Sequence, residues 1–191
     1  FFYWIEKNPF YEFNEYEMAQ KLENYRKKMK SFYSLSFPTI SACGSNGSII
    51  HYNPQKKSNK LIPGQLYLCD SGGQYIEGTT DVTRTIILGS KKPTKEYIKS
   101  YSYVLSGHIN LSMMKFPEGT SGSQIDSIAR YYLWSNGMDY QHGTGHGVGN
   151  FLGVHEFPPS ISKTLSNVEL KPGMIISNEP GFYRDGKYGI R

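Results

Sequence analysis

Cysteine is scarce in this 191-residue chain: Cys43 and Cys69 are the two, each inside a short β-like run and without metal-type spacing. They make no disulfide framework, and buried, reduced thiols fit a reducing, cytoplasmic setting. Long apolar runs are missing too. None approaches the ~20 residues that span a bilayer, so the chain reads as soluble, with no membrane association. The opening FFYWIEKNPF has no initiator Met, no basic segment ahead of an apolar one and no small-residue cleavage site. It therefore reads as the start of a piece cut from a longer chain, not as a secretory signal. Charge of one sign is never concentrated. The net +5 comes from scattered pairs such as Lys27-Lys28, Lys56-Lys57 and Lys91-Lys92, a solvated surface without the basic stripe that nucleic-acid binding requires. Asn46-Gly47-Ser48 and Asn110-Leu111-Ser112 match the glycosylation pattern, but the second falls in an expected helix and no secretory signal accompanies either.

What is present suits one folded unit: 38% hydrophobic and 15% aromatic residues argue against disorder. From residue 15 to 32, Met18, Leu22, Tyr25, Met29 and Phe32 recur at four- and three-residue steps behind an Asn14/Glu17 capping pair, which predicts an amphipathic helix. Residues 39–43 and 48–52 read as short strands joined through Gly44-Ser45-Asn46-Gly47, bringing His51 to a strand end. Pro63-Gly64 turns the chain into a strand over 65–70, and Glu77-Gly78 reverses it into 80–88. Pro93-Thr94 opens a long helix whose stripe runs Tyr97, Ile98, Tyr101, Val104, Leu105, His108, Ile109 and Leu111, so His108 reads as a core or interface histidine. Ser121 and Gln124 cap a second helix with Ile125, Ile128, Ala129, Tyr132 and Leu133 on its buried face and Gly137 beyond its end. A strand over 174–178 and a hairpin over 183–188 around Asp185-Gly186 follow. The order gives an α+β fold with antiparallel pairing.

Chemistry concentrates in residues 140–156, YQHGTGHGVGNFLGVHE, where His142, His146 and His155 fall within fourteen residues. Imidazole is the commonest metal ligand and titrates near neutrality, so such density points to metal binding, proton transfer or both. Gly143, Gly145, Gly147 and Gly149 alternate through it, stripping one face of an extended segment so that another backbone or a substrate can approach. A glycine loop with incidental histidines is the alternative on this stretch alone.

Carboxylates inside apolar strands bear on the choice, because a buried carboxylate is costly unless paired, protonated or metal-bound. Asp70 follows YLC, Asp81 precedes VTRTIIL and Glu179 follows MIISN. Each alone is as well read as a capped or salt-bridged strand end; three converging with His146 would repel unless a cation lay between them. A uniform ladder turning at Glu77-Gly78 pairs Asp70 with Thr85 and Asp81 with Gln74, about four residues or ~13 Å apart. For both to face one metal site the hairpin is expected to bend or bulge at Gly72-Gly73.

Together SIIHY (48–52), DSGGQYIEGTTDVTRT (70–85), HGTGHGVGNFLGVHE (142–156) and SNEPGFYRDGKYGIR (177–191) closely resemble the catalytic domain of eukaryotic-type aminopeptidase P, the Xaa-Pro aminopeptidase of the peptidase M24 family. SFPTIS (36–41) and VLSGHI (104–109) extend the likeness over nearly the whole chain. The resemblance implies a pseudo-symmetric α+β pita-bread fold, antiparallel strands with flanking helices, around two divalent metals, most often Mn(II). By motif, Asp70 would chelate one metal, Asp81 would bridge both, and His146 and Glu179 would bind the other. His51, His142 and His155, with Glu179 and Arg191, match the family's catalytic positions. The implied reaction is attack of a metal-activated water on the peptide bond before a proline in the second position, with Glu179 as base and His155 as donor to the oxyanion. His51 would orient the substrate and His142 would move protons towards the leaving nitrogen.

The resemblance also places a last ligand, a glutamate, two residues beyond Arg191, so residues 1–191 are expected to be part of the catalytic domain of a longer multidomain chain, incomplete at the C-terminus. This piece alone is then expected to bind metal poorly and show little activity, and the full-length protein to be a homodimer. Prolidase shares the ligand pattern and is the near alternative, whereas the histidine doublet with VHE resembles the proline-specific branch more than methionine aminopeptidase. A non-catalytic peptide-binding module would have lost the ligands.

Overall fold

The computed structural model describes residues 1–191, with the side chains of Pro158 and Pro159 excepted. A short helix, α1 (Phe2–Lys7), precedes α2 (Glu15–Lys27), whose first turn is closed by the expected capping box. Asn14 Oδ1 accepts from the Glu17 amide, and the Glu17 carboxylate accepts from the Asn14 amide. The helix ends at Lys27, short of residue 32. Tyr25 and Met29 are exposed, and Phe32 opens β1 (Phe32–Leu35), where its ring meets Tyr75 edge-on. Cross-strand pairing outweighs a helical period carried by so few residues.

After β2 (Ile40–Cys43), residues 48–52 form no strand; a 3-10 helix at Gly44–Ser48 leads into a loop. The cause is Glu15, fully buried at the start of α2. Its carboxylate accepts from the Cys43 amide, Asn46 Nδ2 and the Tyr52 hydroxyl at 2.6 to 3.1 Å, coiling the segment over the helix. Burial raises the Glu15 pKa against these hydrogen bonds.

Four strands follow: β3 (Leu66–Ser71), β4 (Gly73–Tyr75), β5 (Gly78–Thr79) and β6 (Val82–Ile87). They enter two antiparallel sheets, ordered β2-β3-β6 and β1-β4-β5. β3 is central and buried throughout, and its apolar run, Leu66 to Cys69, ends at the buried Asp70. Its side chains nevertheless alternate. Tyr67 and Cys69 pack with Ile5, Phe10, Met18 and Leu88, whereas Leu66 and Leu68 join the clusters of Val104, Leu133, Tyr188 and Ile190 and of Ile40 and Ala42. Asp70 shares the face of Leu66 and Leu68. Cys43 and Cys69 are buried free thiols.

The hairpin corrects the expected register. Asp70 stands opposite Thr83, not Thr85, and Gln74 stands opposite Thr79, not Asp81. The reversal lies at Ile76-Glu77, one residue earlier than the sequence suggests, and the register is the same on both sides of Gly72. Asp81 is thus two positions from Asp70's partner, a diagonal neighbour on the same face, with no bulge needed. Gly72 matters differently: a Cβ there would overlap the Thr80 carbonyl and Ser36 Oγ, at the point where the hairpin passes from one sheet to the other.

The long helix α3 (Lys95–Met113), capped by Thr94, packs on α4 (Gly122–Trp134), which carries the Ser121/Gln124 box. Their contact corrects the expected α3 stripe. Ser100, Val104, Gly107 and Leu111 face inward, while Ile98, Tyr101, Leu105 and Ile109 are 41 to 52% exposed. Val104 and Leu111 are inward as expected, and Ser100 and Gly107 join them because the backbones approach closely at Gly107, where a Cβ would overlap the Ala129 carbonyl. His108 lies outside the core, with Nδ1 3.0 Å from the Asn178 carbonyl oxygen. On α4, Ile125, Ala129 and Leu133 are buried as expected; Ile128 and Tyr132 are half-buried, and Asp126 and Arg130 complete the inner face.

The glycine-histidine stretch supplies β7 (Gly145–Gly147), paired antiparallel with β8 (Glu156–Ile161). Residues 174–178 form no named strand and share one bridge, Gly147 to Ile176. β9 (Phe182–Arg184) and β10 (Tyr188–Ile190) make the expected hairpin around Asp185-Gly186.

Candidate metal centre

Residues 175–179 run beside the glycine-histidine stretch through bonds at every second residue. The Val148 amide donates to the Ile175 carbonyl at 3.1 Å, the Ser177 amide to the His146 carbonyl at 2.8 Å, and the Glu179 amide to the Thr144 carbonyl at 2.7 Å. Gly145 makes this possible, since a Cβ there would overlap the Ser177 carbonyl. Ser177 Oγ accepts from the His146 amide at 2.9 Å and donates to Glu179 Oε1 at 2.8 Å. His146 and Glu179 are therefore set side by side.

The His146 ring is oriented by its own neighbour: Nδ1 donates to the Gly147 carbonyl at 2.9 Å. Nε2 then faces Glu179 Oε1 at 3.0 Å and Asp81 Oδ2 at 3.2 Å. One donor atom from each of these three side chains lies within 4.8 Å of the others, an arrangement that could hold a metal ion. Burial lowers the His146 pKa, but hydrogen bonds to Asp81 and Glu179 prevail and raise it to about 10. For Glu179 burial acts upward, and the hydrogen bonds from His146 and Ser177 hold it below the usual carboxylate value.

Asp70 faces the same cavity but stands apart from that trio. Its Oδ2 is 2.6 Å from Arg191 Nη2, and its buried Oδ1 has no hydrogen-bond partner. Burial raises its pKa against the nearby guanidinium, and the charges of Asp81 and Glu179 add to the rise. The other Arg191 nitrogen, Nη1, donates to the Tyr183 hydroxyl at 2.8 Å. That hydroxyl is 2.8 Å from His142 Nε2, while His142 Nδ1 is 2.8 Å from the Gly143 carbonyl oxygen. A carbonyl only accepts, so Nδ1 carries the proton and Nε2 accepts from Tyr183. Burial lowers the His142 pKa, in keeping with a neutral ring.

His155 is exposed and stands edge-on to the His146 ring, centroids 4.3 Å apart. His51 is exposed on the loop after the 3-10 helix. All eight residues singled out from the sequence line one cavity of about 650 Å³, beside the apolar Phe37, Pro38, Ile40 and Ile50. A neighbouring cavity of about 460 Å³ reaches Asp81, Glu179 and Arg191 from the α3 side, past Val104 and His108. Sequence reasoning missed Tyr183 and Ser177. Ser177 sits two residues before Glu179 on a run whose alternation would have set both on one side, but Tyr183 carries no signal that separates it from a core tyrosine.

Comparison with known proteins decides the family. The model of metallopeptidase family M24 matches residues 1–191, the whole chain. The chain belongs to metallopeptidase family M24. Among M24 relatives, the putative Xaa-Pro aminopeptidase FRA1 of Saccharomyces cerevisiae is 54% identical over 181 residues, which is 93% of this chain and 24% of that protein. The crystal structure of X-prolyl aminopeptidase from Caenorhabditis elegans, described as a cytosolic enzyme with a di-nuclear active site, superposes with a TM-score of 0.88 at 45% identity. That match covers 94% of this chain and 29% of that one. A recombinant prolidase from Thermococcus sibiricus superposes with a TM-score of 0.87 at 32% identity, over 100% of this chain and 50% of that one. The fold is accordingly the α+β pita-bread fold of the M24 peptidases. The chain spans about a quarter to a third of the curated relatives it matches.

The M24 assignment implies metal, and the residues fit one. Two carboxylates and an imidazole nitrogen are the donor set of a divalent cation such as Mn(II), and a fixed Nδ1–H leaves Nε2 as the donor atom. The orphaned Asp70 Oδ1, buried on the same cavity wall, is the kind of oxygen that a cation satisfies.

Proposed function

We propose that the full-length protein is a cytoplasmic Xaa-Pro aminopeptidase that hydrolyses the N-terminal peptide bond preceding proline. The observation carrying this reading is the convergence of His146 Nε2, Asp81 and Glu179, with Asp70 on the same cavity wall, in a chain whose relatives bear that name. Asp70, Asp81, His146 and Glu179 would hold two divalent metals, Mn(II) by donor type, with Asp81 shared between them. Such a pair supplies Lewis acidity and a water acidic enough to deprotonate near neutral pH.

The chain's own groups do the rest. Glu179 accepts a proton from the attacking water, its carboxylate kept ionised by the hydrogen bonds from Ser177 and His146. His155, exposed on the cavity wall, donates an N–H to the carbonyl oxygen as negative charge develops there. His142, a neutral ring relayed through Tyr183 to Arg191, passes a proton towards the leaving proline nitrogen. His51, with Ile40, Ile50 and Phe37, orients the substrate, and the apolar side of the cavity suits a pyrrolidine ring. Arg191 neutralises Asp70 through one nitrogen and fixes Tyr183 through the other. The protein acts as a homodimer on peptides, with no nucleic-acid or membrane partner.

Prolidase is the second reading, favoured by the Thermococcus sibiricus superposition over the whole chain. The deciding experiment gives the full-length, manganese-loaded protein a Xaa-Pro-Xaa tripeptide and a Xaa-Pro dipeptide. Cleavage of the tripeptide with about two metals per chain supports the aminopeptidase; cleavage of the dipeptide alone replaces it with prolidase, and neither metal nor cleavage leaves a binding module.

A further inference from the structure

Arg130 is 0% exposed, and no step above uses it. It lies on α4 four residues after Asp126, so the two side chains leave the same helix face. Its Nε donates to Asp126 Oδ2 at 2.6 Å, and Nη1 donates to Asp139 Oδ1 at 2.8 Å and to the Tyr140 carbonyl at 2.7 Å. Nη2 donates to the His142 carbonyl at 2.9 Å, and the guanidinium lies 3.7 Å from the Tyr140 ring centroid. The second Asp126 oxygen accepts from Thr144 Oγ1, which is also hydrogen-bonded to the Tyr140 hydroxyl.

Residues 140, 142 and 144 are thus tied to one helix at alternate positions, and the next alternate position carries the His146 imidazole. The Thr144 carbonyl in turn receives the Glu179 amide. This stretch needs an outside restraint, because Gly143 and Gly145 leave its backbone unusually free. Holding the His142 carbonyl fixes the peptide plane before Gly143, and the Gly143 carbonyl is what accepts the His142 Nδ1 proton. An apolar pair could hold a helix against this segment equally well. Only a planar fork with several fixed donors can aim two carbonyls at once.

We propose that Arg130, ion-paired with Asp126, is the positioning residue that sets the His142 tautomer and the placement of Glu179. The catalytic consequence rests on the aminopeptidase reading above; the effect on the His142 ring does not.

The test compares full-length wild type with Arg130→Lys, which keeps the charge but not the fork, and Thr144→Val, a near-isosteric change that removes the hydroxyl between Asp126 and Tyr140. Histidine-labelled, metal-free protein is examined by nitrogen NMR, and the manganese-loaded protein by elemental analysis and tripeptide hydrolysis. The expected result is a single Nδ1–H tautomer for His142 in wild type and mixed tautomers in both variants. Metal content should stay at wild-type level, with kcat lower by roughly tenfold or more and KM changed by less than about threefold, since ~1 Å of misplacement can cost ~10²-fold. Variants that keep the wild-type tautomer and kcat while only Tm falls overturn the proposal, because Arg130 is then ordinary support for the fold. Should Arg130→Lys fail to fold, Thr144→Val decides by the same readouts. If wild type cleaves no Xaa-Pro peptide, the aminopeptidase reading fails, and the tautomer comparison still decides the role of Arg130.

Discussion

His146 Nε2 lies 3.0 Å from Glu179 Oε1, in a ring whose other nitrogen is committed to the Gly147 carbonyl. The two residues are separated in sequence but are set side by side by one ladder of backbone bonds.

That pair makes the metal-free chain sensitive to pH in a defined direction. The folded His146 pKa of about 10 lies above its ordinary value of 6.5, so its contribution is complete below about pH 6.5 and is lost as pH rises through about 10. Between those limits stability should fall by at most ~1.4 kcal/mol per pH unit. Urea unfolding with a chelator present, at pH 7 and pH 9.5, should show the fall in wild type and a much flatter response in His146→Gln. Equal slopes would remove His146 as the source.

Asp81 touches His146, whereas Asp70 is ion-paired with Arg191. On the proposed assignment, Asp81→Ala in the full-length protein should lose both metals and Asp70→Ala should retain about one, because a shared carboxylate supports two ions and a terminal one supports one. Elemental analysis after gel filtration is the measurement. Full metal occupancy in Asp81→Ala would sink the assignment.

His155→Ala removes a donor that stands beside His146 without being one of the three converging donor groups. On the proposed reading, kcat of the metal-loaded full-length protein should drop by roughly 10²–10³ with metal content unchanged. Loss of metal instead would make His155 a ligand.

Tyr183→Phe should leave Arg191 Nη1 without its closest acceptor and His142 Nε2 without a donor. A buried group left unpaired costs about 1–3 kcal/mol, readable as a lowered urea midpoint, and the His142 ring should become easier to protonate once its Nε2 lone pair is free. An unchanged midpoint together with an unchanged His142 titration would show that the hydroxyl contributes nothing.

How much could be read from the chain itself follows from the range of the forces involved. Asn14 with Glu17 and Ser121 with Gln124 specify two helix starts from within four residues, and both caps form. Asp185-Gly186 turns its hairpin, with Gly186 at φ +63° where a side chain would be strained, and the strand expected over 65–70 forms as the central buried strand at 66–71. Residue chemistry likewise marked Asp70, Asp81, His146 and Glu179, and all four reach one cavity.

Only the tertiary structure settled what depended on distant partners. Phe32 left the helix for a strand beside Tyr75, residues 48–52 coiled around the buried Glu15 carboxylate, and a reversal one residue earlier than expected carried Asp81 onto Asp70's face. α3 turned Ile98, Tyr101, Leu105 and Ile109 outward because Gly107 allowed a closer helix contact than they would. The four acceptors of Arg130, at 126, 139, 140 and 142, come together only in the fold. The physical reason is common to all: local propensities are worth a fraction of a kcal/mol per residue, less than one buried hydrogen bond to a charge, ~1.5–3 kcal/mol, so wherever a distant charge or strand competes, it decides.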